Sequence, residues 1–103
     1  MGARRWRQTL FERASHGPGT VTSWVCTDKQ AVAACVRFAD DHRVLVEPAC
    51  GAALSAVYER APPLLAACAA AQDGAGGVVV EVCGGGVVDL HTLSQWASEL
   101  GVE

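Results

Sequence analysis

The sequence predicts an α/β fold, in which helices alternate with short parallel strands. Three short apolar runs, at residues 23–26, 44–46 and 78–83, have the composition of buried strands. The stretches between them repeat apolar residues at helical spacing, and this alternation is typical of a parallel sheet. With 103 residues the chain has room for one domain. We expect about three helices and two or three short strands, which is too little for a stable sheet of its own.

The first twenty residues differ from the rest of the chain. Residues 1–20 show no clear period beyond a possible short helix at 6–14, and His-Gly-Pro-Gly at 16–19 then interrupts the chain. We therefore predict a disordered or partly helical N-terminus over 1–20 and an α/β segment over 21–103.

A capping box marks the first strongly predicted helix. Thr27 and Gln30 have the S/T-x-x-E/Q spacing that caps a helix N-terminus, so a helix should begin at Asp28. Its apolar face repeats at helical spacing and its end is expected at residues 40–42. The strand at 44–46 follows.

The second half of the chain continues the alternation. A turn at 47–51 precedes a helix predicted over 52–60, which Pro62 and Pro63 should break, and a further helical piece covers 64–71. A glycine-rich loop at 73–77 leads into the strand at 78–83. Asp89 has the character of an N-cap for a last helix over 90–100, and Gly101 suits its C-terminal stop. Leu90, Leu93, Trp96, Ala97 and Leu100 form the apolar stripe predicted for this helix.

Composition excludes several classes of function. Hydrophobic residues make up 50% of the chain and charged ones 18%, so apolar surface should stay exposed and mark an interface. The net charge of −3 argues against general nucleic-acid binding. No apolar run is long enough to cross a membrane.

The five cysteines indicate free thiols in a reducing compartment. Their number is odd and no C-x-x-C pair occurs, which supports neither a zinc site nor a thioredoxin-type motif. We therefore expect a cytoplasmic protein. The alternative is mitochondrial, because the first residues are rich in arginine and poor in acid.

The most informative segment is the valine-rich run that ends in Cys83 and is followed by Gly84, Gly85 and Gly86. Glycines let another group approach the backbone closely, and ligands of open α/β sheets bind at the carboxyl ends of strands. Cys83 is thus a candidate wall of a ligand site. The alternative is a buried cysteine before an ordinary strand-to-helix turn.

Two motifs resemble the serine/threonine dehydratase family of pyridoxal-phosphate (PLP) enzymes. These are Val-Leu-Val-Glu-Pro-Ala-Cys-Gly-Ala-Ala-Leu at 44–54 and Val-Val-Val-Glu-Val-Cys-Gly-Gly at 78–85. Together with the helix before them, the resemblance covers residues 21–101, about four fifths of the chain. It implies a fragment of the large domain of a two-domain protein about three times as long, built on a three-layer parallel sheet.

The resemblance also implies a cofactor site. Cys83 would face the pyridine nitrogen of PLP, with Gly84 and Gly85 leaving room for the ring edge. Glu47 resembles the family glutamate at the mouth of that site, although it could equally be a carboxylate that favours the following helix N-terminus. Glu81 departs from the family, which is apolar at that position.

No catalytic residue can be assigned. PLP requires a Schiff-base lysine, and Lys29 is the one lysine of this sequence and lies outside the family's Ser-x-Lys context. The family's glycine-rich phosphate loop and any metal-binding cluster are also missing from the sequence.

We therefore predict the C-terminal segment of a PLP-dependent L-serine (L-threonine) ammonia-lyase, whose complete form converts serine to pyruvate and ammonia. This chain alone should be inactive and should not bind PLP stably. A homo-oligomer or a full-length dehydratase is the expected partner. Two alternatives stay open: a non-catalytic interaction protein that binds through exposed apolar faces, and a thiol-based redox module built on Cys83.

Overall fold

The fold is described by a computed structural model that covers residues 2–17, 21–71 and 77–103. These ranges contain five α-helices and no β-strand. In chain order the helices are α1 (Gly2–His16), α2 (Asp28–His42), α3 (Pro48–Tyr58), α4 (Pro62–Ala71) and α5 (Leu90–Leu100).

The predicted α/β fold with a three-layer parallel sheet is therefore wrong for this structure. None of the three apolar runs, at 23–26, 44–46 and 78–83, forms a strand. Strand residues are held by hydrogen bonds to a neighbouring strand, so β-propensity alone does not make a sheet. Instead of being buried on both faces, the valines at 78–82 are exposed. The described ranges hold five helices rather than the predicted three or so.

Helix α2 begins where the capping box predicts. The hydroxyl of Thr27 accepts a hydrogen bond of 3.1 Å from the Gln30 amide, and the Gln30 side chain accepts one of 3.0 Å from the Thr27 amide. The helix ends at His42. Arg43 then adopts a left-handed conformation, with φ of 59°, and its N–H donates to the carbonyl of Ala39 over 2.8 Å. This geometry satisfies a carbonyl that the helix end leaves open.

The proline-containing helices begin earlier than predicted. Helix α3 starts at Pro48 instead of residue 52, and α4 starts at Pro62 instead of residue 64. Proline is favoured in the first turn of a helix because its missing N–H would have no partner there. Pro62 and Pro63 thus open a new helix after the break between α3 and α4.

Helix α5 confirms the prediction at both ends. The carboxylate of Asp89 accepts a hydrogen bond of 2.7 Å from the Thr92 amide. Gly101 has a φ of 70°, in the left-handed region that favours glycine. Leu93 of the predicted stripe is buried, whereas Leu90 is exposed.

Helix α2 is the centre of the fold, since it packs against both α3 and α5. The buried core comprises Val32, Ala34, Cys35, Val46, Cys50, Leu54, Val88 and Leu93. Phe38, Tyr58, Trp96 and Leu100 pack against it from partly buried positions. The core therefore joins the two regions that carry the sequence motifs, around Val46 and around Val88.

The short helix predicted at 6–14 lies within α1. The predicted boundary between residues 20 and 21 adjoins residues 18–20, which lie outside the described ranges. The predicted loop at 73–77 falls almost wholly outside them as well. None of the five helices is both long and apolar enough to span a membrane within the part of the chain that the structure describes.

Candidate functional site

The first half of the candidate site is the turn that enters α3. Glu47 is the N-cap residue, with extended backbone angles, but its side chain makes no capping hydrogen bond. The carbonyl of Glu47 accepts a hydrogen bond of 2.9 Å from the Gly51 amide as the helix begins. The carboxylate of Glu47 is therefore free of the helix and available to the segment that crosses it.

The second half is the irregular segment 77–89, which connects to α5. Gly85 lies directly against the carboxylate of Glu47, so closely that a methyl group at Gly85 would overlap the carboxylate. Gly84 and Gly86 face open space on either side. Buried Val88 anchors the end of the segment in the core. The structure thus brings together two motifs that are far apart in sequence.

Cys83 lies at the surface of this segment, near enough to Cys50 to affect the pKa of that thiol. Cys50 belongs to the first turn of α3 and is buried. Burial raises the pKa of the Cys50 thiol, and the neighbouring Cys83 thiol raises that pKa further. Cys50 is therefore a neutral thiol at neutral pH.

Cys35, on α2, contacts the turn that enters α3. Its thiol is fully buried and donates a hydrogen bond of 3.4 Å to the carbonyl of Glu47. Burial raises the pKa of Cys35 too. A side chain at Gly51 would overlap both this thiol and the carbonyl of Ala31. Helix α2 thereby fixes the position of the α3 turn.

The predicted site residues have clear positions. Glu47 and Gly85 touch, and Gly84 beside them faces open space. Cys83 is next along the segment and is exposed. Their role in holding a cofactor stays a prediction. Cys35 and Cys50 were missed as site residues, although Cys50 stands inside the quoted motif and Cys35 lies on the predicted apolar face of α2.

Lys29 lies beside the end of α5 rather than in this cluster. It is exposed in the first turn of α2, and its Nζ lies 3.8 Å from the position that a Cβ on Gly101 would take, at the end of α5. A cation at that end is favourable because the carbonyl end of a helix is partly negative. This placement suits a surface charge rather than a Schiff-base lysine.

The described part of the chain also contains two grooves. One, of about 480 Å³, is lined by residues of α2, α3 and α5 that include Cys26, Trp96 and Leu100. The other, of about 930 Å³, runs between α2 and α5. Neither is lined by Glu47 or Cys83, although Pro48 and Ala49, which follow Glu47, line the first groove. No group of three or more metal-ligating side chains occurs among the residues that the structure describes.

Comparison with known proteins gives a consistent family signal. The L-serine dehydratase/L-threonine deaminase of Rattus norvegicus is 43% identical over 82 residues, which cover 80% of this chain and 23% of the rat protein. The serine dehydratase-like protein of Mus musculus is 44% identical over 81 residues, covering 79% of this chain and 25% of that protein. The L-serine dehydratase of Dictyostelium discoideum is 59% identical over 34 residues, or 33% of this chain. No protein-family model matches the chain.

The chain spans about a quarter of the length of these mammalian relatives. Identity above 40% over four fifths of this chain confirms the resemblance that the two motifs predict. The matched part of this chain is a segment of the L-serine dehydratase/L-threonine deaminase family.

Proposed function

We propose that Cys83, Gly84, Gly85 and Glu47 form one wall of a PLP site in an enzyme that deaminates L-serine or L-threonine. The observation that carries this proposal is the contact between the Glu47 carboxylate and Gly85, because it joins the two family motifs into one surface. The family to which this segment belongs depends on PLP.

The exposed residues of this surface could contact the ring of the cofactor, but they do not supply the groups that bind its aldehyde and its phosphate. Cys83 offers an exposed thiol, and Gly84 leaves open space in front of the backbone where a flat ring can approach. The one lysine of this sequence, Lys29, lies beside Gly101 and not at this surface. The lysine and the phosphate-binding loop would come from residues that this sequence does not include.

When bound, PLP supplies an electron sink for the bond-breaking steps of amino-acid deamination. Cys83 would place a thiol beside the pyridine nitrogen instead of a carboxylate, which would leave that nitrogen less strongly protonated than an aspartate would. The Glu47 carboxylate would hold the Gly85 end of the wall in place.

A chimeric enzyme tests this proposal. The residues of the rat relative that match this chain are replaced by those of this chain, and release of pyruvate from L-serine is measured. We expect activity in the chimera, and a decrease in kcat/KM of about tenfold for Cys83→Ala, equivalent to one lost hydrogen bond near the reacting group. Cys68→Ala, on α4, is the matched control and should leave kcat/KM unchanged. Equal effects of the two variants would contradict the proposal.

A second candidate function is binding of a partner through exposed apolar surface, with a second copy or a full-length dehydratase as the partner. Val25, Val79 and Val87 are 87%, 94% and 78% exposed. The Cα radius of gyration of 15.7 Å exceeds the value of about 13 Å for a compact chain of this length. Both observations favour surfaces that are covered by other protein.

Light scattering across a concentration series distinguishes the two candidates. A stable oligomer of the purified chain, or its co-elution with the full-length rat relative, would support the binding function. A monomer at every concentration that does not co-elute would exclude it. The cytoplasmic location expected from the cysteine pattern stays a prediction.

A further inference from the structure

We propose that helix α1 of one copy of this chain packs into the groove between α2 and α5 of a second copy, so that two copies exchange their α1 helices in a symmetric dimer. This inference rests on the second candidate function, binding of a partner, and deepens it by naming the partner and the two surfaces that meet.

Helix α1 has exposed apolar side chains and no packing partner in its own copy. The helix packings in the described part of the chain join α2 to α3 and α2 to α5, and α1 takes part in neither. Leu10 and Phe11, both on α1, are 65% and 67% exposed. A single helix of this length is only marginally stable in water unless tertiary packing supports it. Helix α1 therefore needs a surface that covers its apolar side chains.

The groove between α2 and α5 is a surface of suitable size and chemistry. Its volume is about 930 Å³, and Val36, Leu93 and Ala97 give it an apolar lining. Leu90, which also lines it, is 66% exposed. Helices α1 and α2 have 15 residues each, so each is about 22 Å long. A helix such as α1 can thus lie along α2 with its apolar side chains in the groove, which is a common way for helices to bind.

Opposite charges favour the same arrangement. Helix α1 has four arginines and one glutamate, a formal charge of +3, whereas residues 17–103 have four basic and ten acidic residues, a formal charge of −6. The charged residues that line the groove are Arg37, Asp40 and Glu103. Arg37 is already paired with Asp41 of the same helix, at 3.7 Å. The carboxylates of Asp40 and Glu103 are left to attract the arginines of an incoming α1.

A second copy is the occupant that satisfies both needs at once. In a symmetric exchange each copy provides one helix and receives one, so both exposed helices and both grooves are covered and the assembly closes as a dimer. The single copy has the extended shape that such an exchange requires, since its Cα radius of gyration is 15.7 Å and a compact chain of this length has about 13 Å.

Sedimentation equilibrium of the full chain measures the dissociation constant of this dimer. Leu10→Glu replaces an exposed apolar side chain of α1, and Ser94→Arg places a bulky cation in the groove. We expect each variant to raise the dissociation constant at least about tenfold, the effect of losing one interface anchor. Thr9→Glu and Gln95→Arg are the matched controls, because they put the same charges on exposed neighbouring positions, and they should leave the constant unchanged.

A mixture of the two variants shows whether α1 binds in the other copy. In a mixed pair, the unchanged α1 of the Ser94→Arg copy meets the unchanged groove of the Leu10→Glu copy, so one of the two contacts is intact. We expect the mixture to dimerise more tightly than either variant alone. Circular dichroism of each variant, which should match that of the unchanged chain, shows that the helices are retained.

The outcomes that contradict the exchange also separate it from the broader binding function. A dimer that responds equally to the variants and to their controls, or a mixture of correctly folded variants that dimerises no better than each alone, would overturn the exchange and leave partner binding in place. A chain that is monomeric at every concentration would overturn the exchange as well. Sedimentation of that monomer with vesicles of phosphatidylcholine and phosphatidylserine would then show that a membrane surface covers α1 instead.

Discussion

The thiol of Cys35 donates a hydrogen bond of 3.4 Å to the backbone carbonyl of Glu47. This bond joins the middle of α2 to the residue that caps α3. Gly51, one turn further on, lies against the same thiol and against the carbonyl of Ala31. The position of the Glu47 carboxylate, and so of the candidate site, is set by the packing of α2 on α3.

Gly51→Ala tests this packing. The added methyl group would overlap backbone as well as the Cys35 thiol, so α2 and α3 must separate. We expect the free energy of unfolding to decrease by about 1–3 kcal/mol, the usual cost of overpacking a core. Urea unfolding measures the change. Gly84→Ala is the control because it faces open space, and an equal loss in both variants would refute the packing.

The lowered pKa of Asp89 predicts that the free energy of unfolding decreases in acid. The hydrogen bond from the Thr92 amide, followed by the one from the Thr92 side chain, lowers the pKa of Asp89 below its ordinary value of 3.8. A folded-state pKa below the unfolded value stabilises the fold at neutral pH, and this stabilisation is lost as the pH falls from 3.8 through the lowered value.

Thermal unfolding over a pH series checks this dependence against Asp89→Asn. Asparagine still caps a helix but does not titrate, so the variant should lose less stability below pH 3.8 than the unchanged chain. If the two curves run parallel in acid, then the Asp89 cap does not carry the effect.

Glu81→Val distinguishes the structure from the sequence-based expectation. A buried strand would gain roughly 1–3 kcal/mol from removal of the carboxylate. Because Glu81 is exposed here, we expect a change within about 0.5 kcal/mol. Val88→Glu, at a buried position of the same segment, should be clearly destabilising by comparison. A gain from Glu81→Val in a monomeric sample would show that the segment is buried after all.

The sequence predicts best what depends on neighbouring residues. The capping box at Thr27 and the stop at Gly101 were placed correctly because each needs only a few local hydrogen bonds. The strands were wrong because a strand needs a partner distant in sequence, and valine-rich composition does not provide one. The exposure of Leu90 likewise depends on where α5 meets α2.

The candidate site was predicted in part for the same reason. The resemblance identified Glu47, Cys83 and Gly85, but no local pattern shows that the Glu47 carboxylate touches Gly85. The hydrogen bond from the Cys35 thiol to the Glu47 carbonyl also depends on packing between separate elements. These contacts could be recognised only once the helices had been placed.

The protonation state of the PLP ring nitrogen tests the central claim most directly. The rat chimera carrying this chain's residues is loaded with PLP labelled with ¹⁵N in the ring, and its NMR shift is measured. With Cys83 present we expect the shift of an unprotonated pyridine nitrogen, and Cys83→Asp should move it to that of a protonated one. Cys68→Asp should leave it unchanged. The placement of Cys83 at the cofactor would be contradicted if the unchanged chimera and its Cys83→Asp variant both bind PLP and give the same ring-nitrogen shift.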